Sequence, residues 1–341
     1  MQTAQDQRIY SLQGLRFVAA LMVLHMHAAQ TAFESTGSSG IFGYGFGIFG
    51  RAGVDIFFVI SGAIIARSAP THTPSAFIRG RIIRILPLYY LWCIPSLLSA
   101  ASRGIGWREL LATALWPATD RMSLSVLPVA WTLSFEILFY AAAALVLIDR
   151  RLLWLLLTLY LGAFALRPLG PPFQFLGNPI ILEFLAGAAI TYLPALRWAW
   201  LGIPLGFLIL VLGGIFVWPP HGDIISFLEG KEALIRLLDL GIPSVMIVLG
   251  TMQVRLSKGW LSYLGDASYS LYLSHSTVFL IISAGLGVAP FHVPADLVIV
   301  GGIAISVLFG WRVYELVEKP LLSFLRRRTA APAVSSKARM T

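Results

Sequence analysis

Arg16, His25 and His27 all lie in the first long apolar stretch of the chain, Leu12 to Phe33. An ionisable side chain is costly inside a bilayer, so each one found in such a stretch is a candidate for function. The eleven positions between Arg16 and His27 put them within about 20° of each other on a helix, roughly 16 Å apart along its axis. That rise is about half the hydrocarbon thickness. His25, nine positions from Arg16, faces nearly the opposite way. One helix face therefore offers a guanidinium toward one leaflet and an imidazole toward the other. A guanidinium there suits an anionic ligand, and an imidazole suits general-base work.

An imidazole acting as base needs a partner that fixes its tautomer. Asp55, in the run GVDIFFVISG at 53–62, opens the second span and comes within about one helical turn of the depth of His27. Its plainer role is to cap that helix. Glu136, in WTLSFEILFY at 131–140 with Ser134 beside it, lies roughly 12 Å inside the bilayer. A carboxylate at that depth must pair with a cation such as Arg16 or Arg312, or bind a polar ligand. Arg81 and Arg84, in FIRGRIIRILPLYY at 77–90, share one face of an entering helix and could clamp a phosphate. They also read as an ordinary positive loop at the cytoplasmic side, which we place at 67–90. Tyr272 and His275, in SYSLYLSH at 268–275, are candidates for substrate contact or for hydrogen bonding between helices. Glu318 and Lys319 read as the end of the last span.

Two other features carry no chemistry. Gly45, Gly47 and Gly50 fit the spacing of a dinucleotide fingerprint, but no strand precedes them and no acidic residue follows at the right distance. We expect residues 40–50 to form a flexible, aromatic outer loop. The single cysteine, Cys93, sits in an apolar run and reads as a small buried hydrophobe. No metal-ligand cluster is legible.

These residues require a membrane scaffold to position them. Of 341 residues, 57% are hydrophobic and 12% charged, about half the charged fraction of a soluble domain; the mean hydropathy is +0.80. The expected fold is all-α, a polytopic integral membrane protein. We expect about ten spans, near 13–33, 52–67, 83–101, 128–148, 152–167, 175–193, 198–218, 234–252, 268–287 and 296–323. Residues 107–117 form a short apolar stretch suited to the interface. Of 25 Lys and Arg residues, sixteen fall in segments on the side of the N-terminus, seven opposite and two within spans. The bias places both termini in the cytoplasm. Arg16 interrupts what would be the apolar region of a signal peptide, so the first span is expected to stay on the chain. Residues 1–325 read as one transmembrane domain and 326–341 as a basic, disordered cytoplasmic tail. The net charge of +9 resides in short loops between apolar runs, which argues against nucleic acid as a partner.

Taken in order, Arg16 and His27, GVDIFFVISG, FIRGRIIRILPLYY, WTLSFEILFY, SYSLYLSH and the closing VEKP at 317–320 resemble the acyltransferase 3 family. Its members are integral membrane enzymes that O-acylate surface polysaccharides and other acceptors. The short form resembles exopolysaccharide O-acetyltransferases of the succinoglycan type. The resemblance implies that Arg16 and His27 are essential and that Arg81 and Arg84 contact acyl-CoA. It implies an acyl-CoA donor, chiefly acetyl-CoA, with no permanently bound cofactor. The implied acceptor is a polysaccharide or lipid-linked glycan, and the implied location is a bacterial inner membrane. The catalytic set expected from the residues and the resemblance together is His27, Arg16, Asp55 and Glu136. Composition alone fits a transporter or flippase of a lipid-linked glycan equally well, but no internal repeat is visible.

Overall fold

The computed structural model describes residues 10–102, 104, 106, 126–194, 196–216, 233–254 and 256–329. The described residues contain helices and no strand. Eight helical stretches are long and apolar enough to cross a membrane. They are Tyr10–Thr36, Phe49–Thr71, Pro74–Ser102, Pro128–Ile148, Pro171–Ile190, Ala233–Gln253, Ser268–Val288 and Ala295–Arg328. Two of the ten expected spans fall short of that length, Leu152–Ala165 and Ala199–Gly213. The 14 residues of Leu152–Ala165 rise only about 21 Å; Pro168 follows in a short 3-10 turn, and Pro171 and Pro172 open a new helix rather than extend this one. The protein is a multi-pass membrane protein.

Four helices bear most directly on the site: α1 (Tyr10–Thr36), α2 (Tyr44–Ser68), α3 (Pro74–Ser102) and α4 (Trp131–Ile148). They are followed by α5 (Leu152–Ala165), α6 (Ile181–Ile190), α7 (Gly202–Phe216) and α8 (Ile242–Gln253). The last four are α9 (Trp260–Asp266), α10 (Ser268–Val288), α11 (Ala295–Val313) and α12 (Lys319–Thr329). Helix α1 is central and packs against α2, α9, α10 and α11. Its buried residues include Ala19, Ala20, Ala28, Ala29 and Ala32, and small side chains let neighbouring backbones approach where lipid offers no hydrophobic drive to association. Gly53 does the same from α2, since a Cβ there would collide with the Ala19 carbonyl. Between α2 and α6 the contact is tighter still: a Cβ on Gly62 would strike the Phe184 carbonyl, and one on Gly187 the Val59 carbonyl.

Several expectations are corrected. Residues 40–50 are not all loop: α2 begins at Tyr44 and only the preceding residues turn. The arginine-rich run is not a loop but the first half of α3, which starts at Pro74 and continues through Pro87 and Pro95. The final span does not end at Glu318. A π-helical turn, Tyr314–Glu318, joins α11 to α12, and α12 runs to Thr329. Helix therefore extends four residues beyond the boundary expected at 325. The segments 107–117 and 330–341 lie outside the described residues.

Candidate functional site

Helices α1, α2, α3, α4 and α10 line a partly open cavity. Its polar wall is built by helical spacing. On α4, Thr132, Glu136 and Tyr140 stand four residues apart and all line the cavity, as do Arg16 from α1 and Arg84 from α3. Phe57, Phe58 and Ser61 come from one face of α2, and Ser268 and Tyr272 from one face of α10.

Glu136 is held firmly. Its Oε1 accepts hydrogen bonds from Ser61 Oγ at 3.2 Å and from the Tyr140 hydroxyl at 2.5 Å. Tyr140 in turn supports Arg81, whose guanidinium stacks 5.1 Å from the Phe77 ring and 5.4 Å from the Tyr140 ring while donating to Ser68 Oγ at 2.9 Å. The cations of the wall are less committed. Arg16 feels Arg84, Glu136 and Glu318, yet its buried Nε has no hydrogen-bond partner among the described residues. Ser268 Oγ is also buried without a partner. Guanidinium N–H groups and a hydroxyl left open toward a cavity provide binding capacity for an anionic or carbonyl-bearing ligand. Tyr272 shapes the inner wall and is fixed by bonds to the Val129 carbonyl at 2.8 Å and Thr132 Oγ1 at 3.1 Å.

The expected histidine finds a different partner. His27 does not line the cavity, and neither Asp55 nor Glu136 touches it. Its ring lies 5.0 Å from the ring of His275, centroid to centroid, and His275 lies 5.8 Å from Tyr272. The two imidazoles thus lie next to Tyr272, which itself lines the cavity. His25 faces away, as its spacing required, and bonds to the Phe42 carbonyl at 3.0 Å.

Asp55 is corrected most sharply. It neither caps a helix terminus nor orients His27: α2 starts eleven residues earlier, at Tyr44. Fully buried, its carboxylate receives Arg236 Nε at 3.0 Å and Nη2 at 2.7 Å. Arg236 also donates to the Arg51 carbonyl at 3.3 Å, and buried Glu183 adjoins the pair. Ser134, two positions and so roughly 200° from Glu136, is buried on another face of α4 and does not line the cavity. Glu318 is no surface terminus: it is 1% exposed, and its Oε2 accepts from Ser270 Oγ at 2.6 Å. Glu315 and Lys319 form the exposed pair there instead, 3.3 Å apart.

Ser61, Tyr140, Arg236, Glu183 and Glu318 were not recognised as site or network residues. A signal existed for three of them. Arg236, Glu183 and Glu318 are lone charges in or beside expected spans, and each needed a partner by the rule that singled out Arg16. Ser61 and Tyr140 carried no such signal, since hydroxyls are common in helix contacts. No cluster of metal-ligand type occurs among the described residues.

The sequence profile of the Acyl_transf_3 family, described as "Acyltransferase domain", matches residues 9–314. The chain belongs to the acyltransferase 3 family. It is accordingly an enzyme that transfers acyl groups. The exopolysaccharide production protein ExoZ of Rhizobium meliloti (strain 1021) is 30% identical over 323 aligned positions, covering 85% of this chain and 95% of that protein. Acyltransferase MdmB of Streptomyces mycarofaciens is 25% identical over 377 positions, 96% of this chain and 95% of MdmB. Protein 2 in the picA locus of Rhizobium radiobacter is 33% identical over 97 positions, 27% of this chain and 45% of that protein. No solved structure matches the chain. All the lining residues of the cavity fall inside the matched range.

Proposed function

We propose that this enzyme is an O-acetyltransferase of a bacterial inner membrane, with both termini cytoplasmic, that moves an acetyl group from acetyl-CoA to a hydroxyl of an exopolysaccharide or its lipid-linked precursor. The observation that carries this reading is the cavity wall, where Arg16 and Arg84 converge and the buried Arg16 Nε has no hydrogen-bond partner among the described residues. CoA phosphates suit such a clamp, with Arg81 adding charge beside it. Glu136, fixed by Ser61 and Tyr140, keeps the cations apart and tempers their excess charge. The polysaccharide acceptor is supported by the likeness to ExoZ.

In the reaction, the acceptor oxygen attacks the thioester carbonyl. The carbon–sulfur bond breaks, the ester forms, and CoA leaves as the thiol. His27 takes the hydroxyl proton and returns it to the departing sulfur, so no net proton is consumed. Arg16, on the same helix face but roughly 16 Å from His27 along the axis, docks the anionic CoA part of the donor rather than the reacting carbonyl. The test is release of free CoA from acetyl-CoA by purified protein, with host polysaccharide as acceptor. Polysaccharide-dependent release, abolished in His27→Ala, is expected. Acetyl-CoA that neither binds nor turns over with any such acceptor would overturn the assignment and favour transport of a lipid-linked glycan.

A further inference from the structure

His275 is fully buried, and its ring Nδ1 lies 3.2 Å from the carbonyl of Leu271, one turn earlier on α10. A carbonyl can only accept, so Nδ1 carries the ring proton. A neutral imidazole has one such proton, which leaves Nε2 as a hydrogen-bond acceptor. That nitrogen is buried, and no described residue donates to it. An unpartnered acceptor in the interior of a membrane protein is costly and calls for a donor.

The rings around His275 narrow the choice of donor. Phe279 has nothing to donate, and the Tyr272 hydroxyl is spent on Val129 and Thr132. His27 remains, its ring centroid 5.0 Å away. Two imidazoles joined edge to edge by one N–H···N bond of about 2.9 Å have centroids about 5 Å apart, so the observed spacing permits the bond. Such catalytic bonds are often poorly aligned until the Michaelis complex forms. Both carboxylates that could have played this part are occupied, Asp55 by Arg236 and Glu136 by Ser61 and Tyr140.

We propose that His275 is the positioning residue for His27: its Nε2 accepts the ring N–H of His27 and thereby leaves the other His27 nitrogen unprotonated, facing the acceptor hydroxyl. The inference rests on the acyl-transfer reading above. It gives a buried imidazole the part a carboxylate plays in other base–orienter pairs. Loss of such a supporting contact typically costs about 10–100-fold.

The experiment compares His275→Gln and His275→Asn in the purified full chain, measuring kcat, KM for acetyl-CoA and thermal stability. The Gln amide oxygen reaches about where Nε2 stood and can accept from His27. The Asn amide can still bond the Leu271 carbonyl but does not reach His27. We expect His275→Asn to lose about 30-fold or more in kcat, with KM for acetyl-CoA and the melting temperature within experimental error of wild type. His275→Gln should keep most of the activity. Equal activity of the two variants would overturn the proposal, whether both are near wild type or both are impaired while folded. If His275→Asn does not fold, His275→Leu takes its place: it should lose about 30-fold or more in kcat relative to His275→Gln, and equal activity of the two overturns the proposal too. Failure of the underlying reading is distinguishable, because wild-type enzyme would then transfer no acetyl group at all.

Discussion

Two charge clusters lie in the membrane-spanning part of this enzyme, and they are built in opposite ways. Asp55 and Arg236 close on each other with two hydrogen bonds, both side chains sealed from solvent, and Glu183 fills the space beside them. Arg16 and Arg84 face the cavity together with Glu136, without a matching closed pair. The Asp55–Arg236 pair is closed inside the protein and holds α2 to the segment Ala233–Arg236, although both oxygens of the neighbouring Glu183 are buried without a hydrogen-bond partner among the described residues. The second cluster retains unsatisfied donors and so has something left to offer a ligand. A buried charge is therefore not by itself a mark of catalysis; what separates the two roles is whether the partner is already present.

The sharpest way to break that comparison is to remove one member of the closed pair. Asp55→Ala takes away the carboxylate that Arg236 grips with two hydrogen bonds and leaves only Glu183 beside it, a loss of up to about 3–5 kcal/mol, and we expect a sharply reduced yield of folded protein by size-exclusion chromatography in detergent. Replacing both partners with apolar residues, Asp55→Leu with Arg236→Met, should recover much of the folded yield. If Asp55→Ala instead folds normally and loses only turnover, the pair belongs to the catalytic machinery after all.

At the open cluster the expected pattern reverses. Arg84→Gln removes a charge-assisted contact of about 1.5–3 kcal/mol, so KM for acetyl-CoA should rise about 10–100-fold with an unchanged melting temperature. Glu136→Gln keeps the acceptor oxygen for Ser61 and Tyr140 but removes the charge shared by Arg16 and Arg84. A fall of about tenfold in kcat/KM is expected, read by the same CoA-release assay. The smallest effect belongs to Ser134→Ala, on the face of α4 turned from the cavity, where kinetics within about twofold of wild type are expected. A large loss there would mean that α4 presents a different face to substrate.

Most of the fold was legible because apolar length and proline placement determine spans almost independently of partners. The arginine-rich run misled: positive charge marks a membrane boundary but does not say whether the backbone there is helix or loop, and Arg81 and Arg84 sit well inside α3. Arg16, Arg84, Glu136 and Tyr272 were found because rare polar groups on a helix face have few bland explanations, and the cavity collects all four. Asp55 misled for a physical reason. Its depth matched that of His27, but depth along the membrane normal says nothing about azimuth, and α2 turns Asp55 toward Arg236. The His27–His275 contact was invisible for the same reason, since the sequence does not show which face of α1 meets α10. Glu318 was misjudged because no sequence pattern announces a π turn, and that turn keeps the chain helical past Glu318.

The most direct test of the contrast between the clusters is acetyl-CoA binding, measured by calorimetry on purified wild type, Arg84→Gln and the Asp55→Leu/Arg236→Met double variant. We expect wild type and the double variant to bind with similar affinity, and Arg84→Gln to bind at least about tenfold more weakly. Unchanged affinity in Arg84→Gln, or affinity lost only in the folded double variant, would contradict the assignment of the open cluster to the donor.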